Sequence, residues 1–181
     1  RIYLNLSFLL VSALNAQEIE KSLVGENGTI KFLKFNTATM KAATASSEAV
    51  LRSYVFTQSI DELKQIAIET DNVGFTHEKF QQYYKGVKVE HGKYSVHKKN
   101  GIIESLNGEY ILLNDGFKTT PTLSEEAALS KALSYIGAQK YMWQNTENEE
   151  FAKRTEKAGT FYPNGELVII QNFLSNDRDA N

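Results

Sequence analysis

Alternating apolar and polar positions, interrupted by short turn signals, dominate the middle of the chain. Three glycine dipeptides divide this region into segments rich in Val, Ile, Tyr and Phe: Lys85-Gly86, Asn100-Gly101 and Asn107-Gly108. Asn-Gly favours the positive φ angles of a two-residue type I′ hairpin turn. The pattern therefore predicts three antiparallel strands, at 75–84, 87–98 and 102–112.

The second predicted strand contains a change of parity. Its apolar positions are Val87 and Val89, then Tyr94 and Val96, so the alternation shifts by one residue across His91-Gly92. One extra residue in one strand of a pair produces such a shift. We therefore predict a β-bulge at His91-Gly92 that would restore one continuous buried face.

Helical periodicity appears on both sides of these strands. Ser47 can cap a first helix of about ten residues, whose apolar stripe is Val50, Leu51, Tyr54 and Val55. A second helix begins at Thr122 or Ser124 and ends at Gly137; its stripe is Leu129, Ala132, Leu133 and Ile136. Further strands are predicted at 30–35 and 166–173, a linker at 36–47 and a charged polar run at 144–158. The helices and antiparallel strands predict the α+β class, with helix packed on sheet.

The totals exclude several kinds of chemistry. The 181 residues include 20 Lys plus Arg, 22 Asp plus Glu and no Cys. The absence of cysteine excludes disulfides, a thiol nucleophile and thiolate zinc ligands. The balanced charge gives no sign of nucleic acid as a partner, and the lysines between 85 and 99 fit edge strands and turns that avoid aggregation.

The first residues predict export. A short apolar run at 3–14 follows Arg1 and ends in small or polar residues, which is typical of a signal peptide at residues 1–16, cleaved after Ala16 or alternatively after Ala13. It is too short for a bilayer span. We therefore expect a secreted protein without a stable membrane anchor, of which this chain is a fragment open at both ends.

Histidines are the candidate metal ligands. Three imidazoles, from His77, His91 and His97, would suffice for zinc. Their spacings of fourteen and six residues, with a predicted bulge between the last two, favour instead half-exposed strand residues without metal. Motifs such as H-E-x-x-H, G-x-S-x-G and the P-loop do not occur. We predict neither a catalytic nor a metal site in this chain.

Residues 71–110 resemble the propeptide module shared by thermolysin-like and fungalysin zinc metallopeptidases. The positions that carry the resemblance are Asp71, Gly74, Thr76, His77, Lys79, Gln82, Gly86, Val87, Val89, Gly92, Val96, His97, Gly101, Asn107 and Gly108. Lys79 stands where the family usually has Arg, and lysine cannot reproduce the bidentate fork of a guanidinium. Residues 121–181 are similar to a PepSY-type module.

The resemblance implies a precursor layout and a role. The layout is a signal peptide at 1–16, a leader strand and linker at 17–45, a propeptide-like module at 46–118 and a truncated PepSY-like module at 119–181. It implies two small modules of cystatin-like shape that help a metallopeptidase domain to fold and keep it inactive in cis. Zinc would belong to that catalytic domain. The alternative is a free-standing secreted module of cystatin-like shape that inhibits proteases or binds peptides along a sheet edge.

Overall fold

The structure is a computed structural model that describes residues 18–37, 46–56, 58 and 61–172. The predicted signal peptide, most of the linker and the end of the last predicted strand lie outside these residues. The elements in chain order are β1 (Ile19–Val24), β2 (Ile30–Phe35), α1 (Ser47–Tyr54), β3 (Asp61–Thr70), β4 (Phe75–Tyr84), β5 (Val87–Lys99), β6 (Ile102–Gly108), α2 (Glu125–Ile136), a 3-10 turn (Met142–Gln144), α3 (Thr146–Thr155) and β7 (Val168–Ile169).

The strands form a sheet in the order β1-β2-β6-β5-β4-β3. The pairs β1–β2, β2–β6 and β5–β6 are antiparallel, and the short β7 pairs with β5 in parallel. A two-residue turn joins β4 to β5 and another joins β5 to β6, as antiparallel neighbours allow. This arrangement of helices and sheet confirms the α+β class.

The first two predicted turns are confirmed, and the third is wrong. Lys85 and Gly86 have φ of 47° and 80°, and Asn100 and Gly101 have φ of 51° and 79°, as a type I′ turn requires. Asn107 and Gly108 instead lie inside β6, paired with Ser95 and Tyr94 of β5. The dipeptide favours a turn locally, but the ladder with β5 continues through it.

The helix ends follow local capping chemistry. Ser46, one residue before the predicted cap, accepts a hydrogen bond from the Ala49 amide and begins α1. Ser124 does the same for α2, which ends at Gly137 with φ of 62°. The charged run was not predicted to be helical, yet it contains α3, capped by Asn145. Its sequence TENEEFAKRT lacks an apolar stripe, so periodicity gives no signal there.

Contacts divide the described residues into two units, and the tip of the β4–β5 hairpin belongs to the second. Of the described residues, those up to 82 and those at 92–110 form unit 1, and those at 83–91 and from 111 onward form unit 2. In unit 1, α1 packs on the sheet around one core cluster: Leu33, Phe35, Val50, Leu51, Val55, Phe56, Leu63, Phe80, Tyr94, Val96, Ile103, Leu106 and Tyr110. In unit 2 a smaller cluster contains Tyr84, Val89, Leu113 and Ile169.

The parity change in β5 coincides with the boundary between these clusters. Val89 belongs to the smaller cluster, whereas Tyr94 and Val96 belong to the larger one. His91, between them, has φ of 66°. The positive φ of His91 is a backbone irregularity at the predicted position, and the bulge itself stays a prediction. The buried residues on the two sides of His91 belong to two cores instead of the single continuous face that we expected.

Candidate functional site

Asp71 organises the turn between β3 and β4. One oxygen of its side chain, Oδ1, accepts hydrogen bonds from the amides of Val73 (3.0 Å) and Phe75 (2.9 Å). The Phe75 hydrogen bond lowers the pKa of Asp71 below its ordinary value, and His77 and the Val73 amide add to this effect. Gly74, with φ of 87°, completes the turn. Asp71 therefore remains ionised at neutral pH, with its second oxygen directed at β4.

That second oxygen begins a chain of side-chain contacts that crosses three strands. Asp71 Oδ2 lies 3.2 Å from His77 Nε2 on β4, and His77 Nδ1 lies 2.6 Å from His97 Nδ1 on β5. His97 Nε2 in turn lies 2.5 Å from Asn107 Oδ1 on β6. The structure thus brings Asp71, His77 and His97 together, and Asn107 is the last residue in this series of contacts. We define these four residues as the imidazole chain.

The imidazole chain lies on the face of the sheet opposite the core of unit 1. In the β5–β6 register His97 pairs with Ser105 and Ser95 with Asn107, whereas Val96 pairs with Leu106. Val96 and Leu106 are fully buried, so alternation directs His97 and Asn107 to the other side. Phe75 stacks on His77 with ring planes 8° apart, and Lys99 Nζ lies 4.8 Å from the Phe75 ring centroid.

Lys79 pairs with a surface carboxylate. Its ammonium lies 2.7 Å from Glu69 Oε1, and both side chains are largely exposed. This pair lowers the pKa of Glu69, mainly through the Lys79 hydrogen bond. A single ammonium contact at the surface does not need the bidentate geometry of arginine, so lysine serves at this position.

Gln82 contributes to a buried polar cluster that sequence reasoning missed. Gln82 and Asp61 are both buried, and the hydroxyl of Tyr110 donates to Asp61 Oδ2. Burial raises the pKa of Asp61, while hydrogen bonds from Tyr110 and Gln82 and the charge of Arg52 oppose that rise. Periodicity gives no signal for this cluster, because an Asp at the start of an alternating segment is normally placed in solvent.

The remaining motif positions shape the backbone and the cores. Gly86 and Gly101 sit in the hairpin turns, and Gly108 lies directly against β5. Val96 is buried in the core of unit 1, whereas Val89 is buried and Val87 half-buried in the cluster of unit 2. The predicted motif residues are therefore not one site: Asp71, His77 and His97 meet, and the others support turns and packing.

The third histidine has a different setting. His91 is exposed and sits at the irregularity in β5, in unit 2, whereas His77 and His97 belong to unit 1. Within the described part of the chain, no group of three or more His, Cys, Asp or Glu side chains is placed to hold a metal ion. The contacts of His77 and His97 are those of a hydrogen-bonded network.

Fold and site together define a small α+β unit with a motif built mainly of turns, core positions and a polar chain across the sheet. The family model described as Fungalysin/Thermolysin Propeptide Motif matches residues 61–110. The predicted resemblance is thereby confirmed for β3 to β6, and the match supports a propeptide of a thermolysin-like metallopeptidase. It is a propeptide motif and not a catalytic domain.

Among the residues that the structure describes, no helix combines the length and apolar content of a membrane span.

Proposed function

We propose that this chain binds the catalytic domain of its metallopeptidase precursor, assists the folding of that domain and keeps it inactive until the two are cleaved apart. The match at residues 61–110 carries the proposal, because a propeptide motif implies a cognate catalytic domain in cis. Zinc would be bound by that domain. The signal peptide at 1–16, the secretion that follows from it, the cystatin-like shape and the PepSY-like module at 119–181 belong to the same proposal.

The physical mechanism is linkage. A segment that binds only the folded catalytic domain stabilises it by an amount that grows with concentration over Kd. Covalent attachment holds the local concentration at about millimolar, so a modest affinity is sufficient. Cleavage removes this advantage. These 181 residues contain no cysteine and cannot supply a thiolate to the zinc, so we propose steric blocking of the cleft as their mode of inhibition.

The edge strand β3 is the surface that best fits such a contact. In the described sheet β3 lies at one end of the strand order, and it lies within the matched segment. Two large apolar side chains on it, Ile66 and Ile68, are 50% and 61% exposed. An edge strand offers unpaired backbone groups to an extended partner, and exposed apolar side chains add contact area. We therefore place the catalytic domain along β3.

Inhibition of the mature catalytic domain by the purified chain tests the proposal. We expect inhibition at micromolar chain concentration and higher recovery of activity when the denatured domain is refolded in its presence. The double variant Ile66→Lys/Ile68→Lys should inhibit at least about tenfold less well, since two charges would have to be buried at the contact.

The matched control is Leu23→Lys on β1, the strand at the opposite end of the order, where Leu23 is 58% exposed. Equal effects of the two substitutions would contradict docking along β3, and no inhibition by the unchanged chain would contradict the function itself. Reading the gene beyond residue 181 gives an independent test, in which an H-E-x-x-H motif supports a precursor and an early stop codon supports the free-standing inhibitor.

A further inference from the structure

The facing nitrogens of His77 and His97 are too close for both to carry a proton. The two Nδ1 atoms are 2.6 Å apart, and the ring planes are inclined by 73° with centroids 4.9 Å apart. A contact of this length needs one N–H donor and one lone-pair acceptor. With an N–H group on each side, two hydrogens would compete for the same gap. One proton therefore occupies this contact.

The partners of the two Nε2 atoms determine how many further protons the His77–His97 pair can hold. His77 Nε2 faces a carboxylate oxygen of Asp71, which accepts only, so this nitrogen carries a proton. His97 Nε2 faces Asn107 Oδ1, and a carbonyl oxygen also requires a proton there, which gives the pair three protons and one positive charge. If the side-chain amide of Asn107 is flipped by 180°, its NH2 group donates to His97 Nε2 instead. Two protons on the pair then satisfy every contact. Neither arrangement accepts a fourth proton.

The charged groups around the pair come from several elements. Asp71, in the β3–β4 turn, is hydrogen-bonded to His77 and balances one positive charge. On the same side, Lys99 of β5 lies over Phe75, and Lys79 of β4 is neutralised by Glu69 of β3. On β2, Lys34 is aligned with Ser105 of β6 and is paired with Glu20 of β1. A second imidazolium charge would thus be added beside the first one and near the ammonium of Lys99.

We propose that the His77–His97 pair is an acid-sensitive contact, which links β4 to β5 and β6 at neutral pH and separates when both imidazoles are protonated. An imidazole in an unfolded chain has a pKa of about 6.5. Below that pH the unfolded chain binds two protons at these residues beyond their neutral forms, whereas the intact contact holds one in the first arrangement and none in the second. Because the unfolded state binds more protons, the stability of unit 1 falls as the pH falls.

The consequence for regulation rests on the proposed function. If the folded module holds the catalytic domain, protonation of the pair loosens the module and weakens its inhibition. Acid would then favour release of the propeptide. The proton linkage itself concerns this chain alone and can be measured without a peptidase.

Nitrogen-15 NMR of the three imidazoles in the full chain, between pH 5 and pH 8, gives the direct measurement. We expect the last protonation step of the His77–His97 pair to separate the two rings, so that the nitrogen signals of this pair change together with the amide signals of β4 and β5. If the nitrogen signals change while these amide signals stay unchanged, the inference is overturned.

Urea unfolding of the full chain at the same pH values gives a second measurement. In the unchanged chain we expect the folding equilibrium constant of unit 1 to fall with each pH unit below about pH 6, by up to about tenfold for the charged arrangement and up to about 100-fold for the neutral one. His97→Gln should remove most of this slope, since it leaves one imidazole next to Asp71. His91→Asn is the matched control and should keep the slope. Equal slopes in all three proteins would overturn the inference.

Two carboxyl groups, those of Asp71 and Asp61, also affect how the stability of the chain depends on pH. The pKa of Asp71 is lowered, so the stability it contributes is lost only as the pH falls through values below the ordinary range of an Asp. The pKa of Asp61 is raised, which acts in the opposite direction and is common to all three proteins. An unchanged chain that shows the NMR changes and the slope but does not inhibit a peptidase would refute the proposed function and leave this inference intact.

Discussion

Asp61 begins β3 with its carboxyl group buried beneath Tyr110 and Gln82. Because burial raises the pKa of Asp61, the folded chain keeps this proton to a higher pH than the unfolded chain does. Ionisation of Asp61 therefore costs stability as the pH rises through the raised value. The hydrogen bond from Tyr110 reduces that cost, since a donor favours the charged form of the carboxyl group more than the neutral form.

Removal of the Tyr110 hydroxyl should consequently depend on pH. We expect Tyr110→Phe to destabilise the chain by about 1–3 kcal/mol at pH 7, as for the loss of a buried hydrogen bond to a charged group. At pH 4 the loss should be smaller, because a larger fraction of Asp61 is neutral there. Urea unfolding at both pH values measures the difference. Tyr135→Phe, at a tyrosine that is 93% exposed, is the control; equal losses at pH 4 and pH 7 for Tyr110→Phe would contradict the argument.

The pairing of β5 with β6 depends on close approach of the two backbones at Gly108. This residue pairs with Tyr94, and the Glu109 amide donates to Lys93 O at 2.8 Å. A Cβ atom built on Gly108 would lie 2.7 Å from Tyr94 Cα, which is shorter than any ordinary carbon contact. Two of the atoms that this Cβ would meet, Lys93 O and Tyr94 Cα, belong to the backbone. No side-chain rotation therefore relieves the clash.

Gly108→Ala should therefore destabilise the sheet by about 1–3 kcal/mol, the usual cost of overpacking. Gly116→Ala is the control, because a Cβ atom there meets nothing within 4 Å and the φ angle is not in the left-handed region. We expect the control to change stability by less than about 0.5 kcal/mol. Thermal unfolding followed by circular dichroism compares the two variants, and similar midpoints for both would contradict a close approach at Gly108.

Sequence reasoning succeeded where the signal is local. The turns at Gly86 and Gly101 and the cap at Ser124 follow from φ preferences and from side chains that bond their own backbone, so they could be predicted. The role of Gly108 could not be predicted, because it depends on which strand lies opposite this residue. The imidazole chain could not be predicted for the same reason. Each histidine alone has the pattern of a half-exposed strand residue, and the contact between His77 and His97 depends on how β4 and β5 pair.

The two units differ in how their helices are stabilised. In unit 1, α1 contributes Val50 and Leu51 to the core cluster, and both residues are buried. In unit 2, α2 has correct caps at both ends, but none of its twelve described residues is buried. Of the apolar stripe predicted for it, Leu129 and Leu133 are half-buried, whereas Ala132 and Ile136 are exposed, Ile136 by 64%. Since tertiary packing supplies most helix stability in proteins, α2 should open far more readily than α1.

Hydrogen exchange measured by mass spectrometry on the full chain tests this difference. Amides of β5 and β6 next to Val96 and Leu106 should exchange only through global unfolding of unit 1, because those side chains are fully buried. Amides of α2 should exchange through local opening, with rates at least about 100-fold faster. Leu133→Ala should then accelerate exchange in α2 alone, whereas Leu51→Ala should accelerate it throughout unit 1. Equal protection of α2 and β5 would contradict the expectation that the more weakly packed helix opens more readily.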